Sequence, residues 1–302
     1  MGIILTILLF GVLIFIHEFG HFITAKLSGV KVNEFALGMG PVIWKTRKKD
    51  TQYALRLLPI GGFVSMEGED STSADERAFC NKPVWKRFCI VVAGAVMNLL
   101  LGFLVLLGVV LTMSHVPTRQ VASFNENAVS AQYGLAVGDE ILKVNGRAAF
   151  TYDDVVTEIL GDDDGIIDFQ VKRNDEKLEL KGVEFYTEVT GEKRELDIDF
   201  KLLAEENSLG KSLSYSAGKA LSLGRLVWIS LGDLITGKVG FDQLSGPVGV
   251  GEAIGQAVSI SWTNLFILIA FLTINVGIFN LLPIPALDGG RLVFILIEAI
   301  FR

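Results

Sequence analysis

Cysteine is nearly absent: Cys80 and Cys89 are the only two in 302 residues. Two thiols in or beside a loop of cytosolic character do not make a disulfide framework, so both read as free. No zinc role is expected of them, because Cys80 lacks a nearby second ligand and Cys89 reads as helix packing. Positive charge is short too. Lys and Arg number 27 against 34 Asp and Glu, and the acidic charge gathered in residues 116–211 argues against nucleic acid as a partner, since phosphate binding needs a basic face. The N-terminal apolar segment has no basic n-region, so it does not read as a cleaved secretory signal. Histidine is scarcest in useful places: there are three, of which His115 falls past the second apolar run and reads as a surface residue.

Apolar sequence is what the chain has in abundance. Half of the residues are hydrophobic and the mean hydropathy is +0.47. Charged residues still make up 20%, more than spanning helices alone would carry. Three runs, from Gly2 to about Leu27, from about Phe88 to Met113 and from about Trp262 to Leu282, approach the twenty or so residues needed to cross about 30 Å of hydrocarbon. Between Lys26 and Arg87 eleven Lys/Arg stand against seven Asp/Glu, with Lys45, Arg47, Lys48 and Lys49 together. That bias places the loop in the cytosol and the N-terminus outside. Residues 116–211 hold eleven Lys/Arg against twenty-one Asp/Glu, and this acidic section is expected on the far side.

The first apolar run contains His17-Glu18-Phe19-Gly20-His21. Residues four apart lie one above the other on a helix, so both imidazoles can face one Zn²⁺ while Glu18 reaches a water on it. Ionisable groups within hydrocarbon are costly and usually line a protein interior or a watery cavity. The motif therefore reads as proteolysis within the membrane. Two imidazoles leave zinc short of a third protein ligand. The best candidate is Asp288, in Asn280-Leu281-Leu282-Pro283-Ile284-Pro285-Ala286-Leu287-Asp288-Gly289-Gly290, where two prolines break the helix and the glycines permit a tight approach. The alternative for this segment is an interfacial turn capped by Asp.

The loop after the first run has β character. Tyr53 to Leu58, then Pro59-Ile60-Gly61-Gly62, then Phe63 to Met66 reads as a β-hairpin turning at the Pro/Gly stretch. Its free edge can pair with a substrate strand, or the hairpin can be cytosolic with no catalytic part. In the acidic section, Ala128 to Gly146 begins as a short helix, turns at Gly138-Asp139, continues as a strand and turns again at Asn145-Gly146. Thr151 to Leu160 reads as a helix capped by Thr151 or Asp153, and Ile166 to Leu180 as a hairpin around Asn174-Asp175. This run resembles a PDZ domain of the bacterial protease-associated type, a module that holds a chain end as an added strand. Asp162-Asp163-Asp164-Gly165 lacks the remaining ligands of a calcium loop and reads as a solvated turn.

Taken together, HEFGH in the first run, the GGF element, the PDZ-like insert, Ser245-Gly246-Pro247-Val248-Gly249 and NLLPIPALDGG resemble the site-2 protease family, especially the bacterial regulator of sigma-E protease branch. The resemblance covers nearly the whole chain. It implies Zn²⁺ held by His17, His21 and Asp288, Glu18 as general base and acid, and Asn280 binding the substrate backbone. It also implies that Gly61, Gly62 and Phe63 belong to a membrane-re-entrant β-element presenting substrate as a strand. Asn98 in the second run matches a family position as well, as a polar contact across helices. The fold class expected is a polytopic α-helical membrane protein with a membrane-associated β-hairpin element and an inserted α+β PDZ-like domain. Its parts are residues 1–115, a PDZ-like extracytoplasmic domain over 116–205, and 206–302. One PDZ domain, where members of the branch often carry two, resembles Gram-positive versions. Relatives continue past LDGG into a further span, which here is either absent or lies beyond Arg302, and Leu213 to Ile235 reads as an interfacial or substrate-clamping helix.

The implied function is hydrolysis, in a bacterial inner or cell membrane, of the spanning segments of single-pass proteins already cut on the outer side, such as anti-sigma factors or remnant signal peptides. The partners are those substrates, the lipid bilayer and a peptide chain end at the PDZ domain. Two other classes stand beside it: a membrane-anchored PDZ scaffold with a structural zinc, and a metalloprotease acting on soluble proteins.

Overall fold

The computed structural model describes residues 2–162, 164–190, 193–240 and 246–301. Ser245 of the Ser245–Gly249 segment and Asp163 of the acidic turn lie outside them. Two compact units are present, one of Met1–Leu106 with Leu226–Arg302 and the other of Leu107–Arg225; the boundaries fall within helices α2 (Val84–Leu111) and α4 (Leu209–Ile235).

In the first unit, α1 (Gly2–Leu27), α2 and α6 (Trp262–Asn280) are, among the described residues, the three helices long and apolar enough to cross a membrane. Helices α1 and α6 are apolar nearly all round, the pattern of a helix enclosed by lipid and protein rather than lying on a surface. Helix α6 starts where Ser261 Oγ accepts the Asn264 amide at 3.1 Å, a side-chain N-cap. Helix α5 (Pro247–Ile260) has no counterpart among the sequence expectations. It opens on proline at its first position, where the missing N–H costs nothing, and its Ile254 and Ala257 pack with Leu265, Leu5 and Leu9. Helix α7 (Asp288–Phe301) begins on Asp288 itself.

Strands β1 (Val32–Lys48) and β2 (Thr51–Met66) form the loop between α1 and α2. A β-element is there, but its expected turn is corrected. The chain reverses at Lys49-Asp50, and Tyr53–Leu58 does not pair with Phe63–Met66. Instead Glu34–Leu37 lies between Gln52–Leu55 on one side and Gly62–Ser65 on the other, while Lys45–Lys48 pairs with the outer side of Thr51–Ala54. Four antiparallel segments result, because both strands fold over at glycines: Gly38, Gly40 and Gly61 take φ of 87°, 85° and 81°, a region that strains other residues. Phe15, Phe19 and Phe22 of α1 meet Phe35 and Tyr53, with the Phe22 and Phe35 rings stacked at 4.6 Å, and this aromatic layer pins the sheet to the helix.

The second unit is built on a sheet of order β10-β3-β4-β6-β7, with β5 added to β4. Its elements are β3 (His115–Phe124), β4 (Glu140–Val144), β5 (Arg147–Ala148), α3 (Tyr152–Leu160), β6 (Ile166–Arg173), β7 (Glu176–Glu184) and β10 (Phe200–Glu206); β8 (Thr187–Thr190) and β9 (Lys193–Leu196) form a separate hairpin. Asn145-Gly146 and Asn174-Asp175 turn with positive φ, as hairpin turns of this length require. Thr151 caps α3 in a capping box with Asp154, which satisfies two of the helix's free amides. Ile141, Val144, Val155, Ile159, Ile167 and Phe169 fill the core. Asp139 is fully buried, and Arg173 grips both its oxygens at 2.7 Å. The first half of α4 is tied to α3: Tyr215 Oη and Lys219 Nζ donate to Asp153 at 3.1 and 2.6 Å. Burial and that carboxylate push the Tyr215 phenol above its ordinary range. Asp162 Oδ1 accepts the amides of Asp164 and Gly165, so it turns back on its own backbone. Cys80 and Cys89 are free thiols, Cys89 exposed rather than packed, and His115 is exposed on β3.

Candidate active site

A helix that is unbroken from Gly2 to Leu27 sets His17 and His21 one turn apart on one face, both buried. Their rings meet edge to face with centroids 4.7 Å apart. Asp288 arrives from far along the chain, at the start of α7. The segment before it cannot continue α6, because Pro283 and Pro285 remove donors and fix φ, and Ala286 takes φ of 79°, a strained conformation for a residue with a Cβ. The two glycines after Asp288 let this loop close tightly. A Cβ on Gly289 would lie 2.0 Å from the Leu282 oxygen, and one on Gly290 2.6 Å from the Ile284 oxygen.

The result is a triangle of ligand atoms. Asp288 Oδ2 lies 3.0 Å from His17 Nε2 and 3.1 Å from His21 Nε2, and the two Nε2 atoms are 3.1 Å apart. The three atoms thus converge on one point, each within 3.1 Å of the other two. His21 Nδ1 donates to the Ile90 oxygen at 2.8 Å, an assignment that leaves a lone pair on Nε2. Lone pairs of imidazole and carboxylate crowded in this way repel unless a proton or a metal cation lies among them. Two nitrogens and one carboxylate oxygen suit zinc, and His17, His21 and Asp288 fit that ion.

Helix α2 seals the back of the site by coming unusually close. A Cβ on Gly94 would lie 2.4 Å from His21 Nε2 and 2.7 Å from His17 Cε1, and one on Gly20 would lie 2.4 Å from the Ala93 oxygen. The front is open. A cavity of about 410 Å³ is lined by Glu18, His21, Phe63, Val64, Met66, Asp288 and Arg291 among others. Glu18 Oε2 accepts the Val64 amide at 3.1 Å. Glu69 Oε2 accepts the Met66 amide at 3.3 Å, and Glu69 pairs with Arg291, which also reaches Asp70 at 3.0 Å. The Val64 and Met66 amides are therefore not spent on β1. They point off the far edge of β2.

The other sequence candidates are dispersed around this cavity. Phe63 lines it, with Arg56 stacked over its ring at 4.8 Å. Gly62 backs Glu18: a Cβ there would touch Glu18 Cγ at 3.7 Å and press on the Ala36 oxygen at 2.9 Å. Gly61 makes the bend in β2 against Met39. Asn280 ends α6 with its Nδ2 donating to the Val276 oxygen of its own helix at 3.0 Å, and it does not line the cavity. Sequence reasoning misses Gly94 and the Glu69–Arg291 pair; the spacing Gly94, Asn98, Gly102 is the only signal for the first, and nothing local marks the second.

The model of Peptidase family M50 matches residues 5–302. A protein of Clostridium acetobutylicum that bears the name of a zinc metalloprotease is 37% identical over 299 residues, covering 99% of this chain and 87% of that one. A similarly named protein of Clostridium perfringens is 35% identical over 303 residues, covering 100% and 89%. The regulator of sigma-W protease RasP of Bacillus subtilis is 30% identical over 384 aligned positions, covering 99% and 90%.

Proposed function

Since the chain belongs to peptidase family M50 and is a zinc-dependent intramembrane endopeptidase, we propose that His17, His21 and Asp288 hold its zinc and that Glu18 is its general base and acid. The observation that carries this reading is the convergence of three buried ligand atoms within 3.1 Å of one another, beside a cavity that Glu18 also lines. Zinc bound there supplies a Lewis acid that polarises a peptide carbonyl and acidifies water. Glu18 takes the proton of the attacking water and returns it to the leaving amine. A helical substrate hides its carbonyls in its own hydrogen bonds, so the segment to be cut must unwind. The outward amides of β2 offer it a strand edge in exchange, with Gly61, Gly62 and Phe63 shaping that edge and Asn280, once rotated off Val276, holding a further backbone group.

The substrates are single-pass membrane proteins shortened on the outer side, anti-sigma factors and remnant signal peptides among them. The relative named as a regulator of sigma-W protease supports the first class. The loop rich in Lys and Arg faces the cytosol, and the second unit lies outside the cell membrane. That unit is a PDZ-like domain. Between α3 and the edge strand β10 it has a cleft of about 440 Å³ lined by Val155, Val156, Ile159, Ile198, Phe200 and Leu202, the setting in which such domains add a peptide as a strand. The test is zinc content together with cleavage of a single-pass membrane peptide in detergent. Glu18→Gln is expected to keep zinc and lose turnover, and Asp288→Asn to lose both. Cleavage persisting in the Glu18 variant would overturn the assignment.

A further inference from the structure

Two buried polar groups on facing helices have no partner. Asn98 of α2 is 0% exposed, and neither its Oδ1 nor its Nδ2 makes a hydrogen bond; His17 Nδ1, on α1, is buried and likewise unbonded. Buried amides and imidazoles are seldom left so. The neighbouring ligand shows what is normal: His21 Nδ1 donates to the Ile90 oxygen of α2 at 2.8 Å. A metal-binding histidine almost always gives its other ring N–H to such a partner, which fixes its tautomer and orientation.

The helix register sets Asn98 one turn beyond Gly94, on the face of α2 that meets His17. Helices α1 and α2 run antiparallel here, since His21 meets Ile90, both rings meet Gly94, and Gly20 meets Ala93 and Met97. One turn back along α1, from His21 to His17, therefore corresponds to one turn forward along α2. Positions 90, 94 and 98 lie four apart on one face. Side chains on a helix lean toward its N-terminus, so the Asn98 amide leans over the turn of Gly94, the residue in contact with both rings. The flanking positions are spent elsewhere: Met97 on Gly20, and Leu99 and Gly102 on Gly277 and Ile274 of α6.

We infer that Asn98 is a positioning residue of the metal site, its Oδ1 accepting the His17 Nδ1 proton directly or through one water. The inference rests on His17 being a zinc ligand. Asn98 then does for His17 what the Ile90 carbonyl does for His21, and keeps the His17 Nε2 lone pair directed at the metal.

The test uses the full chain in detergent, with zinc affinity measured by chelator competition and the ring nitrogens followed by ¹⁵N NMR on histidine-labelled protein. Asn98→Leu is expected to weaken zinc binding by about 10–100-fold and to shift the His17 Nδ1 resonance while leaving that of His21 in place. Asn98→Asp, which keeps the acceptor, is expected to restore both. If Asn98→Leu binds zinc within twofold of wild type, or if Asn98→Asp is as weak as Asn98→Leu, Asn98 only packs and the inference fails. His17→Ala in the same assay separates the two levels, because retention of zinc there would overturn the ligand assignment itself. Should Asn98→Leu not fold, the comparison of Asn98→Asp with Asn98→Ala gives the same reading.

Discussion

Replacing Gly94 by alanine puts one methyl group where the structure has no room for it. The new carbon would lie 2.4 Å from His21 Nε2 and 2.7 Å from His17 Cε1, against a favourable separation of about 3.5 Å. Either the ring pair or α2 must retreat by about 1 Å. Neither has slack: the His21 ring is tied to the Ile90 oxygen at 2.8 Å, and Gly20 already abuts the Ala93 backbone. Overpacking of this kind costs about 1–3 kcal/mol, and displacing catalytic groups by about 1 Å costs on the order of 100-fold in rate. The assay is zinc per protein by elemental analysis, followed by the rate of cleavage of a single-pass membrane peptide. Gly108→Ala, on the same helix at a position where a Cβ would meet nothing within 4 Å, serves as control and should match wild type or gain about 1 kcal/mol in stability from helix propensity. If Gly94→Ala keeps full zinc and cleaves within twofold of wild type, the claim that α2 closes the site by contact is refuted.

Gly289→Ala should be as damaging for a different reason, because its Cβ would meet the Leu282 carbonyl at 2.0 Å and no rotamer relieves a backbone clash; loss of zinc is the readout. Arg173→Ala leaves the buried Asp139 carboxylate without its counter-ion and should destabilise the second unit by about 3–5 kcal/mol. Faster hydrogen exchange in β4 and β6 with unchanged zinc content would show it. Val156→Glu puts a charge in the cleft between α3 and β10 and should abolish titratable binding of a C-terminal peptide without touching zinc content; unchanged binding would count against that cleft.

The helices and the ligand candidates were legible because each has a strong local signature: twenty apolar residues, two histidines one turn apart, a carboxylate after broken helix. The hairpins at Asn145-Gly146 and Asn174-Asp175 were legible for the same reason, since their turns demand those residues. The β1–β2 element was only half legible. Gly61 and Gly62 are turn signals, and here they bend a strand whose two halves flank Glu34–Leu37, a pairing set by contacts across thirty residues. Helix α5 carries no such signature, because its 14 residues are too few to read as a span. What Gly94 does depends on two rings from another helix, and no local pattern contains that.

The Val64 amide has one hydrogen to give, and Glu18 holds it at 3.1 Å. An incoming strand that pairs with β2 at this position needs the same hydrogen. Under the proposed docking, pairing would be an exchange: the substrate carbonyl would take the amide, and the carboxylate would be released to find another partner. An exposed strand edge is ordinarily an invitation to wrong pairings, and this one is covered at Val64 by the Glu18 side chain, which the proposed docking would set free.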